Sequence, residues 1–234
     1  MKKIHRFLVA SIPNTPSFSL SDTHLVHQAR SVLALRSGED IILFIDGGND
    51  EVVTIEEITK DALTVTRQRI VDTAASRPAL LLTVAVSIPK GTTLELIVQK
   101  LTELGVREVV PLISARTVKG GIRKERLQTI SDEALEQCGG GDRVRIHDPL
   151  PLAETLAQFP LPALVCEYGG APLFDAARPA QGPLMLYIGP EGGWDEKDLH
   201  LFEEAGISKV SLGGRILRTD TAAIVAAHVL LWQK

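Results

Sequence analysis

The chain's 234 residues, 44% apolar and 23% charged, suit one large or two small packed domains and exclude a disordered or fibrous protein. Aromatics are only 4% and the net charge is −4, so the composition offers neither a stacking platform for single strands nor a bulk-basic grip on duplex. Two cysteines, Cys138 and Cys166, are too few for a disulfide framework, no Cys/His cluster points to a metal site, and no apolar run approaches the ~18 residues of a membrane span.

From the N-terminus, residues 6–10 form a short apolar run that Asn14, Thr15 and Pro16 soon break. No signal-peptide core is completed, and a cytoplasmic protein is expected. Residues 22–35 carry helical periodicity, with Leu25, Ala29, Val32 and Leu33 on one face and Ser21 or Asp22 as N-cap. Strands follow at 41–45, 51–58 and 62–68, parted by Asp46-Gly47-Gly48-Asn49-Asp50 and Lys60-Asp61. Residues 1–70 thus predict a small β-rich module, and 71–78, which lack periodicity, a linker.

From 79 to 234 strands and helices alternate. Strands are expected at 80–87, 108–113, 163–167, 184–188 and 209–212, and helices at 92–104, 124–137, 195–205 and 219–232. Strands apolar throughout and separated by helices imply an α/β unit around a mainly parallel sheet.

Such sheets bind ligands at the carboxyl ends of their strands, where loops meet helix starts. Two loops there are rich in glycine. The first is Ile188-Gly189-Pro190-Glu191-Gly192-Gly193-Trp194, whose backbone can approach a ligand closely. A plain strand-to-helix turn capped by Asp195 accounts for the same residues, so composition leaves both readings open. The second runs from Leu212-Gly213-Gly214-Arg215 through Ile216, Leu217, Arg218, Thr219, Asp220, Thr221 and Ala222. Helix capping by Thr219 and a dipole role for Asp220 explain part of it. They do not explain two arginines where the helix dipole disfavours cations.

A third feature is charge. Residues 90–126 carry +4 within a chain of −4, densest around Arg116, Lys119, Arg123 and Lys124. That segment suits phosphate contacts, although a solvated face has the same composition. His24 and His27 lack a third metal ligand, and Cys138, without a His/Asp partner pattern, reads as a small buried residue.

Taken in order, Gln99-Lys100-Leu101-Thr102-Glu103-Leu104-Gly105-Val106, Pro111, Ser114-Ala115-Arg116-Thr117, Glu133-Ala134, Glu136-Gln137-Cys138, Ile188-Gly189-Pro190-Glu191-Gly192-Gly193 and Leu212-Gly213-Gly214-Arg215-Ile216-Leu217-Arg218-Thr219-Asp220-Thr221-Ala222 resemble the RsmE family of 16S rRNA uracil-N3 methyltransferases. That family belongs to the SPOUT, trefoil-knotted superfamily. His24-Leu25 and Leu35-Arg36-Ser37-Gly38-Glu39-Asp40 resemble its PUA-like RNA-binding domain, so the resemblance spans nearly the whole chain.

The resemblance implies S-adenosylmethionine as methyl donor, held in a C-terminal knot, and a homodimer acting on 16S rRNA or the assembled small subunit. It implies cofactor contacts at Ile188, Gly189, Pro190, Glu191, Gly192, Gly193, Leu212, Gly213, Ile216, Leu217, Thr221 and Ala222. For catalysis, Arg218 is expected to stabilise negative charge developing on the uracil oxygens, with Arg116 in support. Asp220 or Glu191 is expected to orient that arginine or take the N3 proton. RNA contacts are expected at Arg116, Lys119, Arg123, Lys124 and Arg143. Departures from the family pattern are the Gly139-Gly140-Gly141-Asp142 run before Arg143, Asp220 in place of the usual Glu, and a compact 116–126 segment. Rival readings are a SPOUT methyltransferase acting on ribose 2′-hydroxyls or tRNA, and a non-catalytic RNA-binding assembly factor.

Overall fold

The computed structural model describes residues 4–73, 77–117, 121–160, 162–176 and 181–232. Two units emerge, one of Met1–Arg77 with Leu135–Asp142, the other of Pro78–Ala134 with Arg143–Lys234.

In the first unit five strands form one sheet: β1 (His5–Leu8), β2 (Ser17–Leu20), β3 (Asp40–Phe44), β4 (Asp50–Ile58) and β5 (Leu63–Val71). Their order is β1-β3-β4-β5-β2, with β1 parallel to β3 and the other neighbours antiparallel. Phe7, Phe18, Ile41, Leu43, Val53, Ile55, Leu63 and Val65 fill its core together with Leu25 and Val26 of α1 (Thr23–His27). Asp22 caps α1 by accepting the Leu25 N–H at 2.8 Å. The helical stretch is shorter than its periodicity implies. It widens to a π-turn at Gln28–Val32 and stops before Ala34, a non-glycine residue at φ +50°. The extra residue per turn rotates Val32 off the core face, and it stands 65% exposed. Strand β5 runs on to Val71, into the stretch that reads as linker.

Leu135–Asp142 groups with this unit because its backbone completes hydrogen bonds there. The buried Arg6 guanidinium pairs with Asp50 at 2.6 Å, lies 4.2 Å from the Phe44 ring and donates to the carbonyls of Leu135 and Gly140, each at 3.0 Å. Glu136 accepts the Leu8 N–H at 3.0 Å, and the Gly141 carbonyl takes the Gly47 N–H at 2.9 Å. Cys138 is exposed, against the expectation of burial, because it sits in the last turn of a helix with its side chain off the packed face.

The second unit alternates strand and helix: β6 (Leu80–Ser87), α2 (Thr93–Leu104), β7 (Glu108–Ile113), α3 (Lys124–Cys138), β8 (Arg145–Ile146), β9 (Leu150–Pro151), α4 (Leu152–Gln158), β10 (Ala163–Pro172), β11 (Gly182–Ile188), α5 (Glu196–Glu204), β12 (Ser208–Ser211) and α6 (Thr219–Trp232). Every pairing is parallel, in the order β12-β10-β11-β6-β7-β8 with β9 beside β7. The α/β class with a parallel sheet therefore holds.

Period-two alternation divides the core. Leu82, Val84, Val86, Leu184, Leu186 and Ile188 face α2 and α6, whereas Ala85, Met185 and Tyr187 face Trp194, Leu152 of α4 and Phe202 of α5. Both faces are thus covered, which is why β6 and β11 are almost wholly apolar. Among the described residues no helix is long and apolar enough to cross a membrane.

Candidate functional site

At the carboxyl ends of β11 and β12, beside the middle of β10, lies a cavity of about 340 Å³, large enough for a nucleoside-sized ligand. Its walls come from the loop after β11, the loop after β12 and the middle of β10. Ile188, Gly189, Pro190, Glu191, Gly192 and Gly193 line it, as do Leu212, Gly213, Ile216, Leu217 and Ala222. Thr221 does not. It is exposed at the start of α6 and directs both its N–H and its hydroxyl to Asp220 Oδ1, at 2.8 and 3.4 Å.

Glycine is needed here for two distinct reasons. A Cβ on Gly189 would stand 3.0 Å from Cε2 and 3.1 Å from Nε1 of Trp194, so only glycine lets the loop rest on that ring. Gly193 and Gly213 instead adopt φ of +71° and +125°, which side chains rarely tolerate. Trp194 is buried, donates Nε1–H to the Cys166 carbonyl at 2.9 Å and packs edge-on against Phe202. The loops are also tied to each other. Thr219, which as a sequence reads as a helix cap, sends its hydroxyl to the Gly189 carbonyl at 3.1 Å.

The third wall carries no sequence motif. Strand β10 pairs with β12 through Cys166, slips register, and resumes at Ala171. The irregularity turns Glu167 and Tyr168 into the cavity lining. Gly170 permits it, since a Cβ there would lie 2.7 Å from the Val210 nitrogen. Two adjacent glycines inside a strand pattern are the signal that could have revealed this wall. Burial pushes the Glu167 carboxyl above its ordinary value, against the pull of Lys209 and a backbone hydrogen bond from Tyr168. Burial likewise pushes the Cys166 thiol up to about 12. Arg215 joins the lining as well.

Of the residues read as catalytic, Arg218 is 72% exposed with its Nε 3.5 Å from Asp220 Oδ1, and Glu191 is exposed on the rim. Neither Arg218 nor Asp220 lines the cavity; they sit on either side of Thr219, which does. The cations read as RNA-facing are dispersed. Arg116, half-exposed, lies along the loop after β11 and donates Nη1–H to the Gly192 carbonyl at 2.7 Å. Lys124 pairs with Asp148 at 2.9 Å, and Arg143 forks onto Asp132 at 2.8 and 2.6 Å. Arg123 is exposed with no ion pair among the described residues, and Lys119 lies outside them.

A family model for an RNA methyltransferase domain matches residues 76–231. The chain is 32% identical to the ribosomal RNA small subunit methyltransferase E of Synechocystis sp. (strain ATCC 27184 / PCC 6803 / Kazusa), covering 87% of this chain and 69% of that protein. It is 29% identical to the enzyme of the same name from Bacillus subtilis (strain 168), over 95% and 92% of the two chains. Among solved structures, a ribosomal RNA small subunit methyltransferase E from Neisseria gonorrhoeae bound to S-adenosyl methionine superposes with a TM-score of 0.89, at 29% identity over 97% of each chain.

Proposed function

The chain belongs to the ribosomal RNA small subunit methyltransferase E family, and on that premise we propose that it transfers a methyl group from S-adenosylmethionine to N3 of a uridine in small-subunit rRNA. The observation that carries this reading is the cavity at the ends of β11 and β12, walled by two glycine loops that Thr219 ties together.

The residues present fit the cofactor. The cavity volume of about 340 Å³ suits it, and Gly189 and Gly213 leave backbone groups accessible to an adenine edge. Leu212, Ile216 and Leu217 supply apolar surface, while Glu167 supplies a carboxylate for the ammonium group of the methionyl end. When bound, S-adenosylmethionine supplies an electrophilic methyl group on a sulfonium sulfur.

What remains for the protein is positioning and charge. Uridine N3 carries a proton at neutral pH, so attack requires its loss, which places negative charge on the flanking uracil oxygens. Arg218 meets that charge, as a donor that needs no reorganisation at the moment of reaction. Asp220 orients the guanidinium from 3.5 Å, and Glu191 on the rim accepts the proton. The reading extends to the architecture. The strand order β12-β10-β11-β6 supports a trefoil-knotted SPOUT unit, the five-stranded sheet of the first unit supports a PUA-like RNA-binding module, and the enzyme acts as a cytoplasmic homodimer on rRNA or the assembled subunit. Mass spectrometry of rRNA digests from cells with and without the protein tests the reaction. 3-Methyluridine should be lost on deletion, and its persistence would overturn the reading.

A further inference from the structure

Arg116 follows β7, yet its side chain ends on the loop after β11. The turn that carries it is rigid: Thr117 donates its N–H to the Ser114 carbonyl at 3.0 Å, the two hydroxyls lie 2.9 Å apart, and Ser87 donates to Ser114 Oγ at 3.1 Å. Beneath it the buried Asp198 accepts the Ala115 N–H at 3.2 Å and the Asp195 N–H at 3.3 Å. One carboxylate therefore fixes both the turn bearing Arg116 and the start of α5. From this base the guanidinium donates to the Gly192 carbonyl at 2.7 Å and meets Asp195 at 3.4 Å. Its Cδ also lies 3.7 Å from where a Cβ on Gly192 would stand.

Among the described residues, side chains bond the carbonyls of the Gly189–Gly193 loop at two points, Thr219 at Gly189 and Arg116 at Gly192. A glycine-rich turn loses much conformational entropy when it orders, so fixing both of its ends before the ligand arrives raises affinity. We propose that Arg116 is a positioning residue that holds the Gly189–Gly193 loop in its cofactor-binding shape, rather than a residue that grips RNA. The inference rests on that loop being the S-adenosylmethionine site.

Calorimetric titration of S-adenosylmethionine into the unsubstituted protein, Arg116→Ala and Arg116→Lys tests it, alongside methylation kinetics and binding to transcribed small-subunit rRNA. Arg116→Ala should bind the cofactor roughly fivefold to tenfold more weakly, the loss of one charge-assisted hydrogen bond at a half-exposed site. KM for the cofactor should rise with kcat little changed, and Arg116→Lys should recover part of the affinity. Affinity for rRNA and its salt dependence should not move. Unchanged cofactor affinity with weaker rRNA binding and a salt slope reduced by about one would overturn the inference. No cofactor binding by the unsubstituted protein would overturn both it and the site assignment.

Discussion

Gly189→Ala adds one methyl group where the cofactor loop lies on Trp194, and the outcome depends on which side yields. The new carbon would meet three ring atoms at 3.0, 3.1 and 3.4 Å, so a displacement of a few tenths of an ångström is required. The indole is poorly placed to move: it is buried, held by its hydrogen bond to Cys166 at 2.9 Å and packed on Phe202 with ring centroids 4.9 Å apart. The loop is freer, exposed from Glu191 to Gly193. Overpacking of this kind costs about 1–3 kcal/mol. Taken up by the loop, that weakens S-adenosylmethionine roughly fivefold to 150-fold, with a smaller fall in the urea midpoint. Gly214→Ala is the control, since a Cβ there meets nothing within 4 Å. Calorimetry and urea unfolding on both variants decide the matter. Gly189→Ala binding and unfolding as the unsubstituted protein does, or Gly214→Ala losing as much, would refute a clash with Trp194 as the cause.

Two further outcomes are expected. Arg218→Ala should lower kcat by roughly 10²- to 10³-fold, the usual cost of removing one donor to developing charge, while calorimetric affinity for the cofactor holds. Near-normal turnover at saturating cofactor would remove the assignment. Glu167, its carboxyl raised chiefly by burial, binds a proton more readily in the folded chain than in the unfolded one. It therefore costs stability as pH rises through and above the ordinary carboxylate range. Glu167→Gln should then be the more stable protein at pH 7, with the difference shrinking toward zero in acid. A difference independent of pH would contradict this account of the wall.

Much of the second unit is legible in the chain because its periodicities are strong. Strands β6 and β7 and helix α6 begin and end where their apolar patterns do. The two glycine loops read as ligand-facing meet at one cavity. Where local pattern is weak, tertiary context decides. Ser17–Leu20 is a four-residue strand at the sheet's edge with two serines, too short to show alternation. Helix α4 starts behind Pro151 with no side-chain cap to announce it. The wall at Glu167 and Tyr168 arises from a register slip against β12, which depends on residues some forty positions away. The bond from Arg116 to Gly192 is hidden for a similar reason: a basic stretch looks alike whether its cations meet only solvent or also a carbonyl of a distant loop.

The discontinuity of the first unit also carries a schedule. Of the groups around Arg6, Asp50 lies in the first continuous stretch, but the carbonyls of Leu135 and Gly140 and the Glu136 partner of Leu8 come roughly 60 residues after that stretch ends. During synthesis at about 5–20 residues per second, the β-rich unit waits several seconds for its last acceptors. Throughout that interval a guanidinium destined for burial keeps only part of its hydrogen bonding. A fragment cut at Arg77 would be left permanently in that unfinished state.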